Sequence, residues 1–295
     1  MGSDFPVIIE AAVNGTTTRE RNASVPRTPS EIAADALGCL AAGATIIHNH
    51  NDDPVIDMVT AEHAAQPYID AWRPVLQEVP GAFLYPTMTG GGPHTTVAKR
   101  YGHIPELASA GVLTMGIVDP GSVNIGGFDA DGSPAPNEIV YLNSSADSRH
   151  MVDLCTSLEV PINFSVFDGS FMRASVAYVA SGRVPHGGLI KIFFGSDWAP
   201  FGLPATEAAL LAYLDMLGDC PLPWSVALPG GDLLDRPVAR LALERGGHLR
   251  VGLEDYAGPG EPTNVELVER AVALANDVGR PVATPGQAAE QMRTR

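Results

Sequence analysis

Two histidines one residue apart, His48 and His50, close the apolar, β-branched run Thr45-Ile46-Ile47 and are followed by Asn51-Asp52-Asp53-Pro54. An apolar run that meets polar residues and then a proline reads as a buried strand turning into a loop. Side chains alternate faces along a strand, so both imidazoles point the same way and can reach one ion. Imidazole suits zinc, copper, iron or nickel. The plain alternative is two satisfied polar side chains at a strand end. A second motif far along the chain weighs against it: His248-Leu249-Arg250-Val251-Gly252-Leu253-Glu254-Asp255. By alternation Arg250, Gly252 and Glu254 share a face, and Asp255 falls where the strand becomes a loop.

The remaining elements decide whether these motifs can meet. Residues 7–13 form a buried strand broken only by Glu10 and closed by Asn14-Gly15. A helix over 31–42 follows, with Ser30 as N-cap and Gly43 as stop. Further strands are predicted at 44–50, 82–85, 112–117, 161–167, 189–194, 224–228 and 248–253. Helices are predicted at 61–77, 105–110, 144–158, 169–181, 206–217, 233–244 and 264–278, and residues 119–137 form a long Gly- and Pro-rich excursion. Strands alternating with helices imply a parallel sheet. Eight such units in 295 residues imply an α/β (β/α)8 TIM barrel as a single domain over 1–295. A doubly wound open sheet is the alternative, but no Gly-x-Gly-x-x-Gly follows the first strand.

In a barrel, strands two and eight have the same parity, and their C-terminal ends converge on one mouth. His48, His50 and Glu254 are thereby placed to share one metal. Two histidines and a carboxylate with an open position make a catalytic zinc arrangement or, in another geometry, non-haem iron. Arg250 can support the carboxylate pair or bind an anionic substrate group. Asp255, beside the metal and not needed as a ligand, can act as a base. An ion pair that merely closes the barrel end is the bland reading of the same residues.

Composition limits the partners. The formal net charge of −16, with no basic run, argues against nucleic acid and anionic membranes. Apolar residues make up 45% and charged residues 18% of the chain, as in an ordinary globular protein. Cys39, Cys155 and Cys220 form no Cys-x-x-Cys pair and read as thiols in a reducing compartment. The first residues lack the basic and apolar regions of a signal peptide, and no apolar run reaches the roughly 20 residues of a membrane span. A cytoplasmic location is expected.

Ala11-Ala12-Val13-Asn14-Gly15, His48-Asn49-His50-Asn51-Asp52-Asp53-Pro54, Thr89-Gly90-Gly91 and Arg250-Val251-Gly252-Leu253-Glu254-Asp255, in this order and spacing, resemble the β-keto acid cleavage enzyme family. The resemblance spans nearly the whole chain. It implies a zinc-dependent TIM barrel, usually a homotetramer, in which a β-keto acid and acetyl-CoA give acetoacetate and a new acyl-CoA. Carried over by position, His48, His50 and Glu254 are zinc ligands, Asp255 is the base, and Arg250 is its partner and a substrate anchor. Three departures stand out. Asp52 replaces the family's usual arginine. Thr16, Thr17 and Thr18 stand where members acting on an amino-substituted keto acid carry an acidic residue. Ser165, with Asn163 nearby, stands where the fifth strand often carries glutamate.

Other positions are candidate contacts. The loop Thr87-Met88-Thr89-Gly90-Gly91 after the third strand can cradle a carboxylate or phosphate with its amides. Gly230 and Gly231, after the seventh strand, are candidates for the CoA diphosphate, although Asp232 as an N-cap would repel it. Asp119 and Ser122 end the fourth strand as possible substrate contacts. His94, His103 and His186 read as solvated, His248 as structural, and Tyr85 and Trp224 as core aromatics. The competing functions are a CoA-independent metal-dependent aldolase, an amidohydrolase-like enzyme and a non-catalytic barrel that senses a keto acid or metal. The hydrolase would need histidines at the ends of strands five and six, which read Phe167-Asp168 and Phe194-Gly195.

Overall fold

The computed structural model describes residues 5–53, 62–90, 95–136, 139–196 and 199–293. Eight parallel strands lie in one sheet: β1 (Ile9–Ala12), β2 (Ile46–Asn49), β3 (Phe83–Pro86), β4 (Gly116–Val118), β7 (Ile162–Val166), β8 (Gly188–Phe193), β9 (Trp224–Ala227) and β10 (His248–Val251). Their spatial order is β3-β2-β1-β10-β9-β8-β7-β4, so the sheet curls until its two edges approach. Helices α1 (Pro29–Ala42), α2 (Gln66–Glu78), α3 (Val97–Arg100), α4 (His103–Ser109), α5 (Ser145–Ser157), α6 (Gly169–Ala180), α7 (Glu207–Leu217), α8 (Pro237–Glu244) and α9 (Asn264–Asp277) connect the strands, and α10 (Pro285–Met292) ends the chain. This is the expected TIM barrel, with one domain built around one sheet.

The seam between β3 and β4 explains the first departure from expectation. The fourth strand, predicted from residue 112, begins only at Gly116. Ahead of it Thr114 uses its hydroxyl in place of a ladder: Leu84 N–H donates to Oγ1 at 2.6 Å, and Oγ1 donates to Ala82 O at 3.0 Å. Helix starts also shift. Thr28, not Ser30, caps α1, because Glu31 at the third position reaches back to complete a capping box. The helix predicted from residue 61 starts at Gln66. The one predicted over 233–244 splits into a 3-10 turn, Leu233–Asp235, and α8, because Pro237 forces Arg236 into extended backbone. The excursion after β4 contains β5 (Val123–Asn124), paired antiparallel with β6 (Val140–Tyr141). Helix α10, not foreseen, buries Ala288 and Met292, and Gln291 Nε2 donates to Pro6 O at 3.0 Å.

The core lies between the strands and the helices. On β1, Ile9 and Ala11 join it, while Glu10 faces the barrel interior. That interior is unusual for the fold, since apolar branched residues ordinarily fill it. Here Glu10, Tyr85, Asn163, Lys191 and Arg250 occupy it, none more than 2% exposed. Among the described residues no helix is long and apolar enough to cross a membrane.

Candidate active site

Three chain segments bring the two motifs together. Asn14, at the end of β1, accepts the His50 N–H at 2.8 Å and donates to His50 O at 3.0 Å, fixing the exit of β2. Asn264, at the start of α9, accepts the Leu253 N–H at 2.8 Å and donates to Val13 O at 2.7 Å. It therefore ties the loop after β10 to the end of β1. Strand β10 stops at Val251, two residues short of the predicted strand, so alternation does not aim Glu254. A turn does: Gly252 adopts φ 136°, and Asp255 and Tyr256 both donate to its carbonyl. Gly252 faces β1 so closely that an added Cβ would lie 2.1 Å from Ala12 O. Gly15 leaves room in the same way, since a Cβ there would lie 2.2 Å from Glu254 Cγ.

His48, His50 and Glu254 converge at the C-terminal mouth, with donor atoms from all three within 4.8 Å of one another. His48 Nε2 lies 3.2 Å from Glu254 Oε2, and His50 Nε2 lies 3.5 Å from Oε1. Nδ1 of His48 faces Tyr85 O at 3.2 Å. A carbonyl only accepts, so Nδ1 carries the proton and Nε2 presents a lone pair to the carboxylate. Two acceptors facing each other need a cation between them. Glu254 Oε2, the oxygen facing His48 Nε2, is buried and makes no well-formed hydrogen bond. The donor set therefore fits a metal, with the Tyr85 carbonyl orienting one ligand from behind.

Arg250 joins this cluster to the interior. Its Nε and Nη2 grip Asp255 at 2.7 and 3.1 Å, Nη2 reaches Glu254 Oε1 at 2.8 Å, and Nη1 reaches Glu10 at 2.9 Å. Glu10 also accepts from Lys191 Nζ at 2.9 Å, from the Tyr85 hydroxyl, and from Asn163 at 3.3 Å. Three carboxylates thus share two buried cations. Burial alone would raise Glu10, but the Lys191 ammonium and the Arg250 guanidinium hold it at about 2. Burial lowers Lys191, opposed by Glu10. Burial also raises Asp255, against the pull of Arg250, whereas for Glu254 the burial is outweighed, chiefly by the Arg250 guanidinium, which holds it well below the usual range. His48 falls to about 4 through burial.

A cavity of about 450 Å3 opens above these groups, lined by His50, Glu254, Asp255, Thr16, Thr17, Thr18, Gly230 and a set of aromatic residues. Thr87, Thr89 and Gly90 are buried and do not line it, and Gly91 and His94 lie outside the described residues. Asp119 is buried behind the lining, where it accepts from the Tyr141 hydroxyl at 2.5 Å. Burial raises its carboxyl, against the hydrogen bond from Tyr141. Ser122 is exposed, and its hydroxyl bridges the backbone of Asn143. Gly230 and Gly231 both donate to Asp255 O, at 2.8 and 3.2 Å, so neither amide is available to a diphosphate. They hold the turn that carries Asp255 instead. His103 is not solvated: it is buried, its Nε2 meets Thr87 O at 2.9 Å, and burial lowers it to about 3. Asp52 is paired with Arg27 at 2.5 Å, so a cation from another loop stands beside the position. Tyr85 is more than a core aromatic, since its hydroxyl belongs to the charged network. Sequence reasoning missed the roles of Glu10, Lys191, Asn14 and Asn264. The first two were marked by charge inside apolar strand runs.

A parallel eight-stranded barrel whose C-terminal mouth holds two histidines, a glutamate and an arginine-gripped aspartate defines the class: a barrel enzyme with a metal-type donor set. Residues 6–293 match the family described as beta-keto acid cleavage enzyme, and the chain belongs to that family. It is 30% identical to the 3-keto-5-aminohexanoate cleavage enzyme of Acetoanaerobium sticklandii, over 96% of this chain and 97% of that one. It is 28% identical to the 3-oxoadipate:acetyl-CoA acetyltransferase of Cupriavidus necator, over 96% and 93%. Among solved structures, ObcA in binary complex with oxaloacetate superposes with a TM-score of 0.67 at 17% identity, over 91% of this chain and 67% of that one, a likeness of fold.

Proposed function

We propose that the barrel exchanges acyl groups between a β-keto acid and acetyl-CoA, giving acetoacetate and a new acyl-CoA. The observation that carries this reading is Asp255, held by two bonds from Arg250 at the edge of a cavity, beside the donor set of His48, His50 and Glu254. The activities of the relatives named above, one of them an acetyl-CoA acetyltransferase, support the co-substrate.

His48, His50 and Glu254 would hold zinc, which supplies Lewis-acid polarisation of the keto and carboxylate oxygens when bound. Asp255 takes a proton from C2, the carbon between ketone and carboxylate. The C2 electron pair attacks the acetyl carbon, forming a C–C bond as the C–S bond breaks. The released CoA thiolate adds to C3, and the C2–C3 bond then breaks to leave a new thioester. Asp255 returns its proton to C2 of acetoacetate, which closes the balance. Arg250 keeps the Asp255 carboxylate turned to the cavity throughout and offers positive charge where negative charge develops.

The same reading carries a homotetramer, from the family resemblance, and a cytoplasmic location, supported by three free cysteines. The test is mass spectrometry of products from a panel of β-keto acids with acetyl-CoA. Acetoacetate appearing together with a matching acyl-CoA is expected. Cleavage at equal rate without acetyl-CoA would replace this reading with an aldolase.

A further inference from the structure

The cavity has two unlike sides. The loop after β1 contributes Thr16, Thr17, Thr18 and Arg21. Across the ring of strands, β8, the ends of β6 and β7 and their loops contribute Ile125, Tyr141, Phe167, Phe193 and Phe201. Phe167 is the centre of this second side, with ring centroids 4.7 Å from Phe193, 5.1 Å from Phe201 and 6.1 Å from Tyr141. Tyr141 is amphipathic but gives its hydroxyl to Asp119, which leaves the ring as its contribution to the cavity.

Phe193 also screens the charged interior. Lys191 Nζ lies 5.3 Å from its centroid and the Arg250 guanidinium 5.2 Å, so the two buried cations stack against this ring. The carboxylates lining the cavity are Glu254 and Asp255, and Arg250 engages both. Among the described lining residues Arg21 is the single arginine or lysine, and it belongs to the threonine side, where it donates to Tyr256 O at 3.1 Å. A charged tail laid on the aromatic side would lose its water, and among the described lining residues of that side none offers a counter-charge. An apolar tail would gain from the same burial and from ring contacts.

We infer that the β-keto acid handled here carries an uncharged, apolar tail, of phenyl or branched-alkyl bulk, that lies on the Phe167–Phe193–Phe201 wall. This rests on the proposed reading for the position of the keto-acid head, beside His50, Glu254 and Asp255.

Isothermal titration of the purified protein, without acetyl-CoA, tests the tail separately from the reaction. Three β-keto acids of matched length would be used, ending in a phenyl, an ammonium or a carboxylate group. The phenyl acid is expected to bind about tenfold or more tightly than either charged one. Phe201→Lys is expected to abolish that margin and Phe201→Leu to retain most of it. Tighter binding of a charged tail, a phenyl affinity unmoved by Phe201→Lys, or binding of none of the three would overturn the inference. Phenyl preference in a protein that forms no acyl-CoA would uphold the tail and overturn the reaction. Turnover confined to charged tails would do the reverse.

Discussion

Glu10 and Arg250 face one another across the β1–β10 ladder, carboxylate to guanidinium at 2.9 Å, with neither side chain more than 2% exposed. Through this pair the inside of the barrel reaches its mouth, because the other nitrogens of Arg250 hold Glu254 and Asp255. Lys191 supplies the second cation that Glu10 needs.

Removing that cation alone leaves a buried imbalance. Lys191→Met is expected to destabilise the fold by about 3–5 kcal/mol, whereas Glu10→Gln with Lys191→Met together should cost less than the single change. Urea unfolding midpoints decide it. A Lys191→Met protein as stable as wild type would show that the network carries no such coupling.

The two adjacent carboxylates are expected to fail differently. Glu254→Ala should lose bound zinc, read by elemental mass spectrometry after dialysis. Asp255→Asn should keep the metal and lose turnover by about 10²–10⁴-fold. Full activity in Asp255→Asn would remove it as the base, and unchanged zinc in Glu254→Ala would remove Glu254 as a ligand.

Gly15→Ala tests the packing that seats Glu254. The residue has φ 51°, and the new methyl would meet the Glu254 side chain. The variant should lose about 1–2 kcal/mol of stability from the left-handed backbone alone, and bind metal more weakly. Metal affinity equal to wild type would mean that Glu254 can reseat freely.

Asp35 gives the pH dependence. It accepts from Asn264 at 2.7 Å, yet burial outweighs that bond and raises its carboxyl to about 6. Protonation is thus favoured by folding. Stability from this group is present below the unfolded value near 4 and is lost as the pH rises through 6. Asp35→Asn should therefore add about 2 kcal/mol at pH 8 and almost nothing at pH 4, measured by thermal or urea unfolding. A gain of equal size at both pH values would exclude titration as its source.

The barrel was legible because its signal is local and repeated. Apolar runs of strand length alternate with capped helical segments, and each run must bury both faces. The histidine pair was legible for the same reason, since period-two alternation puts both on one face at the end of β2, although His50 lies one residue beyond the strand and is held there by Asn14. Glu254 was placed at the mouth by a strand argument, yet the structure delivers it by a turn at Gly252 braced through Asn264. Those contacts span more than 200 residues of chain in the case of Asn264 and Val13, a separation that no local pattern encodes.

The sequence by itself determined the order of elements, the face that His48 and His50 share, and the presence of charges inside apolar strands. Only the tertiary structure decided what those charges do. Glu10, Tyr85, Lys191 and Arg250 come from four different strands, and closure of the sheet alone brings them within hydrogen-bond reach. The aromatic side of the cavity is of the same kind: Tyr141, Phe167, Phe193 and Phe201 are scattered along the chain, and become one surface only when three strand ends and the loop after β8 meet around the mouth.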